Sequence, residues 1–282
     1  MSRHLIVLIL FIFVIASETL RADDKATEIN AGSKAYLDLV GRADSACANG
    51  EWQQAASLLQ RAMILEPANP GNILLLSNLG IARFNLGQDS LALEAFDSAL
   101  DMAPSSVTIL SNRARVYAAL EHDQEAFDDY AHIMELDSTY ISARLRHGLL
   151  ALKHKIYSQA KEDIGYIAKH YPTSDEAFIG QATLLTSLGE YDKAIPYYNE
   201  ILRIRPEAEY YAARAYCNLM TENLQEAASD ISSAMELDPW DGELYLYRAA
   251  LAKKHFRPDD ARRDAQRAIE LGVDQARAKE FL

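Results

Sequence analysis

The side chains that could bind a metal or transfer protons are few and scattered in this sequence. Six histidines lie beyond residue 100, and of these only His147 and His154 have a spacing, seven residues, that places them on one face of a helix. A zinc-type site needs three or four such ligands, and no further ligand can be named near this pair. We therefore predict neither a metal site nor a bound cofactor.

Adjacent acids also fail to make a catalytic pair. Asp128–Asp129 and Asp259–Asp260 are consecutive residues on predicted helices, so their carboxylates point apart and cannot act together on one bond. The sequence has no phosphate-binding glycine loop, no nucleophile elbow and no His-Glu-x-x-His pattern. We predict that the protein is not an enzyme.

The dominant pattern in the sequence is a repeat. An alanine recurs seven times along the chain at a nearly constant spacing of about 34 residues. This period indicates helix–turn–helix units that stack into a solenoid, which offers a long open surface instead of one deep pocket. The recurring alanines are Ala55, Ala92, Ala126, Ala160, Ala194, Ala227 and Ala261.

Two more positions recur with the alanine. Twelve residues before it lies another small residue, Ala or Gly, which lets the two helices of a hairpin approach closely. Twelve residues after it lies a proline in five of the seven repeats, and proline ends the second helix. Turns such as Leu86-Gly87-Gln88 separate the two helices.

This pattern resembles the tetratricopeptide repeat (TPR) family, and its elements stand together in Gly80, Gly87, Ala92, Phe96, Ala99 and Pro104. The resemblance implies an all-α, right-handed α-solenoid of about seven helix–turn–helix hairpins. In that family the first helices line a concave groove that holds peptides or partner domains. The predicted repeats are 36–69, 73–106, 107–140, 141–174, 175–207, 208–241 and 242–273, followed by a capping helix at 274–282.

Comparing the repeats with one another predicts an ion pair inside three hairpins. Repeats three, six and seven have an arginine just before the small residue and an aspartate three residues after the alanine. Repeat four has His147 and Asp163 at these positions, whereas Arg42 in repeat one has no acid. Because the charges largely occur together, we predict that they bridge the two helices and are structural. The predicted pairs are Arg113–Asp129, Arg214–Asp230 and Arg248–Asp264.

The first candidate binding group is basic. Residues 141–155 contain no acid, although the chain has a net charge of −13. Arg146 and Lys153 from this stretch, with Arg115 from the preceding repeat, are expected on the concave face. There they could bind an acidic peptide or a C-terminal carboxylate. The alternative is that they pair with neighbouring acids such as Glu135.

Chaperone-binding TPR domains hold a carboxylate with five side chains from three successive first helices. Asn112 and Arg146 match two of these positions. The other three positions hold Ser77, Ile81 and Ser142, which do not match. The resemblance therefore does not imply a carboxylate clamp here.

The second candidate group is aromatic and lies in repeats five to seven. Tyr216, Tyr247 and Met220 are expected to be exposed on the inner face, where they would suit an apolar or basic partner segment. The alternative is that apolar residues here pack between repeats. The expected acidic rim consists of Glu176, Glu209 and Glu243.

The start of the chain predicts export. Residues 1–22 combine a short basic head, an apolar run from Leu5 to Ile15 and a small residue before a charged segment, which is typical of a secretory signal peptide. We expect cleavage after Ala22, with Ala16 as the alternative, and a leader segment at 23–35. The run is short for a membrane span, so we expect no stable membrane insertion after cleavage; a retained anchor is the alternative.

Composition narrows the class of partner. The acidic surface disfavours nucleic acid and anionic lipid, because both require basic side chains. Cys47 and Cys217 lie in the first and sixth repeats, too far apart for a disulfide if repeats contact only their neighbours. We expect both to act as small buried hydrophobic residues.

These observations predict an exported, periplasmic or extracellular, non-catalytic scaffold that binds a protein or peptide partner in its concave groove. Two alternatives stay open. One is a receptor for a small ligand such as a glycan or peptidoglycan fragment. The other is a self-associating subunit whose groove is filled by itself or by a second copy.

Overall fold

The computed structural model describes residues 32–282. Within this range the chain forms fifteen α-helices joined by short turns, followed by a 3-10 turn, and contains no strand. The predicted all-α helical-repeat fold is therefore confirmed. The predicted signal peptide and most of the leader segment lie outside the described residues.

The first fourteen helices form seven hairpins in chain order, each made of a first helix, a tight turn and a second helix. The elements are α1 Lys34–Ala48, α2 Trp52–Leu65, α3 Asn72–Asn85, α4 Asp89–Met102, α5 Val107–Ala119, α6 Asp123–Leu136, α7 Ile141–Lys153, α8 Tyr157–His170, α9 Asp175–Leu188, α10 Tyr191–Ile204, α11 Ala208–Met220, α12 Leu224–Leu237, α13 Gly242–Lys254, α14 Pro258–Glu270, α15 Gln275–Ala278 and the 3-10 turn Lys279–Phe281.

The described residues form two compact units. The N-terminal unit ends at Ala143 and the C-terminal unit begins at Arg144, within the first turn of α7. In each unit the helices of a hairpin pack on each other, and second helices pack on the first helix that follows. In the C-terminal unit, α15 and the 3-10 turn pack on α14, and Phe281 is buried there.

The recurring small residues lie where the two helices of a hairpin cross. All seven recurring alanines are at most 3% exposed. At Gly80 an added Cβ would lie 2.8 Å from Cζ of Phe96, so the crossing leaves no room for a larger residue. The second helices end two residues before the recurring prolines, as at Leu65 before Pro67.

The hairpin turns share one backbone conformation with positive φ. Gly50, Gly87 and Gly189 adopt it at φ of 70 to 79°. The other four turns hold a non-glycine residue in the same left-handed region, at φ of 55 to 61°, where a Cβ causes steric strain. The turn is thus set by the repeat and not by the glycine alone. These strained residues are Glu121, Lys155, Glu222 and Phe256.

We expect Phe256→Gly to raise the free energy of unfolding by about 1 kcal/mol, because glycine adopts positive φ without strain. Phe256 is 93% exposed, so the substitution removes little packing. Urea denaturation followed by circular dichroism measures the change. Gly189→Ala, at the same place in another hairpin, is expected to lower stability. A loss of stability in Phe256→Gly would contradict this account of the turn.

Candidate functional site

The predicted ion pair is present in three hairpins with the same bidentate geometry. In hairpin α11–α12, Arg214 Nε donates to Asp230 Oδ2 at 3.0 Å and Arg214 Nη2 donates to Oδ1 at 2.6 Å. The Arg113–Asp129 distances are 2.9 and 2.7 Å, and the Arg248–Asp264 distances are 2.8 and 2.7 Å. The prediction that these arginines serve the hairpin is confirmed.

Repeat four replaces the arginine by histidine and keeps the pair. His147 Nδ1 lies 2.7 Å from Asp163 Oδ2, and both side chains are buried. Arg144 Nη1 lies 3.4 Å from the other oxygen of Asp163, and its guanidinium stacks on the Tyr166 ring at 4.2 Å. His147 is therefore a structural residue. Across residues 32–282, no three potential metal ligands are grouped together.

Two of the arginines also donate a hydrogen bond to an oxygen of the preceding hairpin. Arg113 Nη1 donates to Asp97 Oδ1, and Arg214 Nη1 donates to Asn199 Oδ1, each at 2.7 Å. Burial opposes the charge on Arg113, but its hydrogen bonds to Asp129 and Asp97 outweigh burial and raise its pKa. Sequence reasoning missed this contact, although both acceptors lie five residues after a recurring alanine.

The aromatic candidate group is mostly buried. Tyr216 is 2% exposed and Tyr247 is 1% exposed, and their ring centroids are 5.9 Å apart. Helices α11 and α13 pack directly on each other, so these rings fill the space between successive first helices. The expected exposure of the two tyrosines is wrong, and packing between repeats accounts for them. Met220, at the end of α11, is 40% exposed.

The residues of the basic candidate group are also buried or half-buried. Arg146 in the C-terminal unit is 7% exposed, which corrects its expected exposure. Lys153 in the same unit and Arg115 in the N-terminal unit are half-buried, and all three residues already have interaction partners. Asn112, considered for a carboxylate clamp, instead donates to the buried Ser77 hydroxyl at 3.3 Å.

The expected acidic rim contains one buried carboxyl. Glu209 is 7% exposed, and neither of its oxygens accepts a well-formed hydrogen bond from a described residue. Burial raises the pKa of Glu209 to about 7; Glu207 adds to this increase, while Tyr210 and Arg205 oppose it. Glu243 is paired with Arg277 of the cap, and Glu176 also has a partner. The three acids therefore do not form a common exposed rim.

Exposed apolar side chains lie instead at the ends of second helices. Ten residues after the recurring alanine, six of the seven repeats have an apolar residue, which is a signal that sequence reasoning left unused. Five of these are at least 40% exposed: in the N-terminal unit Leu65, Met102 and Leu136, and in the C-terminal unit Ile204 and Leu237.

The most prominent of these surfaces is the Trp240 patch, which we define as Leu237, Trp240 and Arg267. Trp240 is 70% exposed and Leu237 is 56% exposed. The guanidinium carbon of Arg267 lies 5.7 Å from the Trp240 ring centroid. The patch thus combines an exposed tryptophan ring and a guanidinium group, two side-chain types enriched in the centres of protein interfaces, with an exposed aliphatic side chain.

Only one of the two cysteines is buried as expected. Both are free; Cys217 is buried and Cys47 is half-buried. Burial raises the pKa of the Cys217 thiol to about 12, so this thiol is unreactive near neutral pH. No described helix combines the length and apolar character that a membrane span requires.

Comparison with known proteins supports the fold and its class of function. The profile of the family described as tetratricopeptide repeat matches residues 77–137, 145–209 and 179–239, together more than half of the chain. A crystal structure of a tetratricopeptide repeat protein from Parabacteroides merdae is similar, with a TM-score of 0.71 and 28% identity; the match covers 89% of this chain and 98% of that one.

Two curated relatives match a smaller part of the chain. Human DnaJ homolog subfamily C member 3 is 27% identical over 175 residues, which is 56% of this chain and 35% of that protein. The chain thus spans about a third of this relative. Rat mitochondrial import receptor subunit TOM34 is 25% identical over 236 residues, covering 67% of this chain and 76% of that protein.

We expect Asp230→Ala to lower the free energy of unfolding by roughly 1–3 kcal/mol, because it leaves the Arg214 guanidinium without its partner in a largely buried pair. The double variant with Arg214→Ala should lose less than the sum of the two single variants, and a double-mutant cycle measures this coupling. Arg42→Ala, in the hairpin without the acid, is the control. Additive losses at Arg214 and Asp230 would contradict the pairing.

Glu209 predicts an unusual dependence of stability on pH. Its pKa in the folded protein is raised above the ordinary value of 4.5, so ionisation destabilises the fold increasingly between pH 4.5 and about 7. We expect Glu209→Gln to match wild type near pH 4 and to be more stable at pH 8, by up to about 3 kcal/mol. Denaturation at several pH values tests this. An equal loss of stability at every pH would show a role in packing instead.

Proposed function

Because this chain belongs to the tetratricopeptide repeat family, we propose that it is an exported, non-catalytic scaffold that binds a protein partner through the Trp240 patch. Members of the family bind protein or peptide partners, and interaction with another protein is the function that the matched family supports. We propose three further points: that the protein is exported, that it is not catalytic and that the Trp240 patch is its binding surface.

Trp240 is the observation that carries the proposal. It lies thirteen residues after a recurring alanine, where the other six repeats have small or polar residues: Ala68, Ser105, Thr139, Thr173, Glu207 and Asp274. The hairpin therefore does not need a tryptophan at this position. A large aromatic ring that is 70% exposed gains little from its own fold, and such rings are frequent anchors in protein interfaces.

The remaining polar groups support a non-catalytic role. The arginines, the histidine and the aspartates that recur in the hairpins are bonded to one another, so they serve the fold. Burial of Tyr216 and Tyr247 also removes the main support for a small-ligand receptor, which required aromatic rings open to a groove. Interaction with a protein is thus favoured over a small-ligand receptor.

Export depends on the segment 1–22. The intact mass and N-terminal sequence of the protein recovered from fractionated cells test this part of the proposal. We expect a chain that begins at Asp23 in the exported soluble fraction. A chain that still carries residues 1–22 and sediments with membranes would support the retained anchor instead.

We expect Trp240→Ser/Leu237→Ser to lose the partner without loss of the fold, because both side chains are mainly exposed and repeat two has a serine at the position of Trp240. Wild type and variant are used to capture a partner from a native extract. The purified partner is then titrated, and at least a tenfold weaker affinity is expected for the variant.

Glu236→Ser is the matched control. Glu236 is exposed and lies next to Leu237 at the end of α12, but it is not part of the Trp240 patch. A partner that binds all three proteins equally would place the interface elsewhere. If no partner is captured and light scattering shows dimers, self-association replaces the proposal. Alanine variants of Tyr216 and Tyr247 are not suitable for testing partner binding, because they would create cavities in the core and destabilise the fold.

A further inference from the structure

A second surface lies on the first hairpin, in the N-terminal unit. Helices α1 and α2 border an open cavity of about 500 Å³. Its lining combines the apolar side chains of Leu39, Ile64 and Leu65 with the guanidinium groups of Arg42 and Arg61 and the carboxylate of Asp38. We call it the hairpin-one cavity. Its volume is within the range of sites that bind short segments and small molecules.

Ile64 sets this hairpin apart from the others. It is 77% exposed, so it contributes little to the packing of the hairpin. It lies nine residues after the recurring alanine, and at this position every other repeat has a charged residue: Asp101, Glu135, Lys169, Arg203, Glu236 and Glu270. The fold therefore accepts a charge here, and the isoleucine is best explained by a contact outside the hairpin.

Arg42 is the second departure from the repeat. Where hairpins three, six and seven have the aspartate of the ion pair, hairpin one has the buried Leu58. Among residues 32–282, the carboxylate paired with Arg42 is that of Asp38, at 3.6 Å, and both side chains are more than half exposed. An exposed pair of this kind contributes little energy, so Arg42 can exchange Asp38 for another carboxylate at small cost.

Arg61 completes the arrangement. It is exposed on α2, one turn before Ile64 and Leu65, so its guanidinium lies on the same helix face as these two side chains. The cavity thus places two guanidinium groups and one carboxylate, a local excess of positive charge, beside an apolar surface in a protein whose net charge is −13. This local charge selects an anionic partner, and the apolar lining excludes one that is only polar.

We propose that the hairpin-one cavity binds a partner peptide with carboxylates on both sides of an aliphatic residue. The aliphatic side chain contacts Leu39, Ile64 and Leu65, and the carboxylates pair with Arg42 and Arg61. The site uses side chains of one hairpin. It does not depend on the proposed function, because the Trp240 patch belongs to the C-terminal unit.

Fluorescence anisotropy with three labelled peptides tests the proposal on the protein expressed at full length. The probe is GDELLEDG; the controls are GKRLLRKG, which reverses the charge, and GDESSEDG, which lacks the aliphatic residues. We expect the probe to bind at least tenfold more tightly than either control. Its affinity should fall as NaCl is raised, because guanidinium–carboxylate pairs are screened by salt.

Ile64→Asp and Arg61→Glu should each weaken binding of the probe at least tenfold. Ile64→Asp introduces the residue that repeat two has at this position, so the fold should be retained, and a thermal melt checks this. Asp101→Asn is the matched control and should bind normally. Trp240→Ser should also bind the probe normally, which separates this site from the proposed partner surface.

Equal affinity for the three peptides, no binding of the probe, or normal binding by Ile64→Asp would each overturn the proposal. Light scattering tests whether a second copy of the chain occupies the cavity instead. If wild type is a dimer and Ile64→Asp is a monomer, a second copy of the chain occupies the cavity, and the peptide proposal is wrong.

Discussion

The close crossing of two helices at small residues is the constraint on which the rest of the structure depends. At Gly80 and Phe96 the crossing has no room for one additional carbon atom. This approach places the residue before the small position opposite the residue three places after the alanine. The distance between these side chains then matches the reach of arginine and aspartate. A wider crossing would separate the half-buried Arg214 from the buried Asp230 and leave the carboxylate without its guanidinium partner.

The ion pairs in turn give the stack its register. Burying a guanidinium and a carboxylate costs desolvation energy, and the pair recovers this cost only when the hydrogen bonds are well formed. Arg113 and Arg214 each use one nitrogen outside their own hairpin, on Asp97 and Asn199. A displaced hairpin would lose this bond. The charges of these repeats therefore contribute to how neighbouring hairpins meet.

Contacts between the two helices of one hairpin were predictable from the sequence. The orientation of one hairpin relative to the next was not. The alanine period and the co-occurrence of Arg and Asp compare equivalent positions, so they predicted the hairpins and their bonds. Whether Tyr216 faces a groove or the next first helix depends on the angle between α11 and α13. The spacing of residues in the sequence does not determine that angle. The same limit applies to Glu209, whose carboxyl is buried although it lies in the first turn of a helix.

Repetition also separates the demands of the fold from those of function. A residue that recurs at its position is accounted for by packing that every hairpin shares, as the buried alanines are. A residue that departs from the repeat and is also exposed has no such explanation. Ile64 and Trp240 meet both conditions, at positions where the other repeats have charged residues or small and polar ones. Tyr216 fails the second condition, because burial accounts for it. Exposed departures from the repeat are therefore stronger evidence for a binding surface than aromatic character alone.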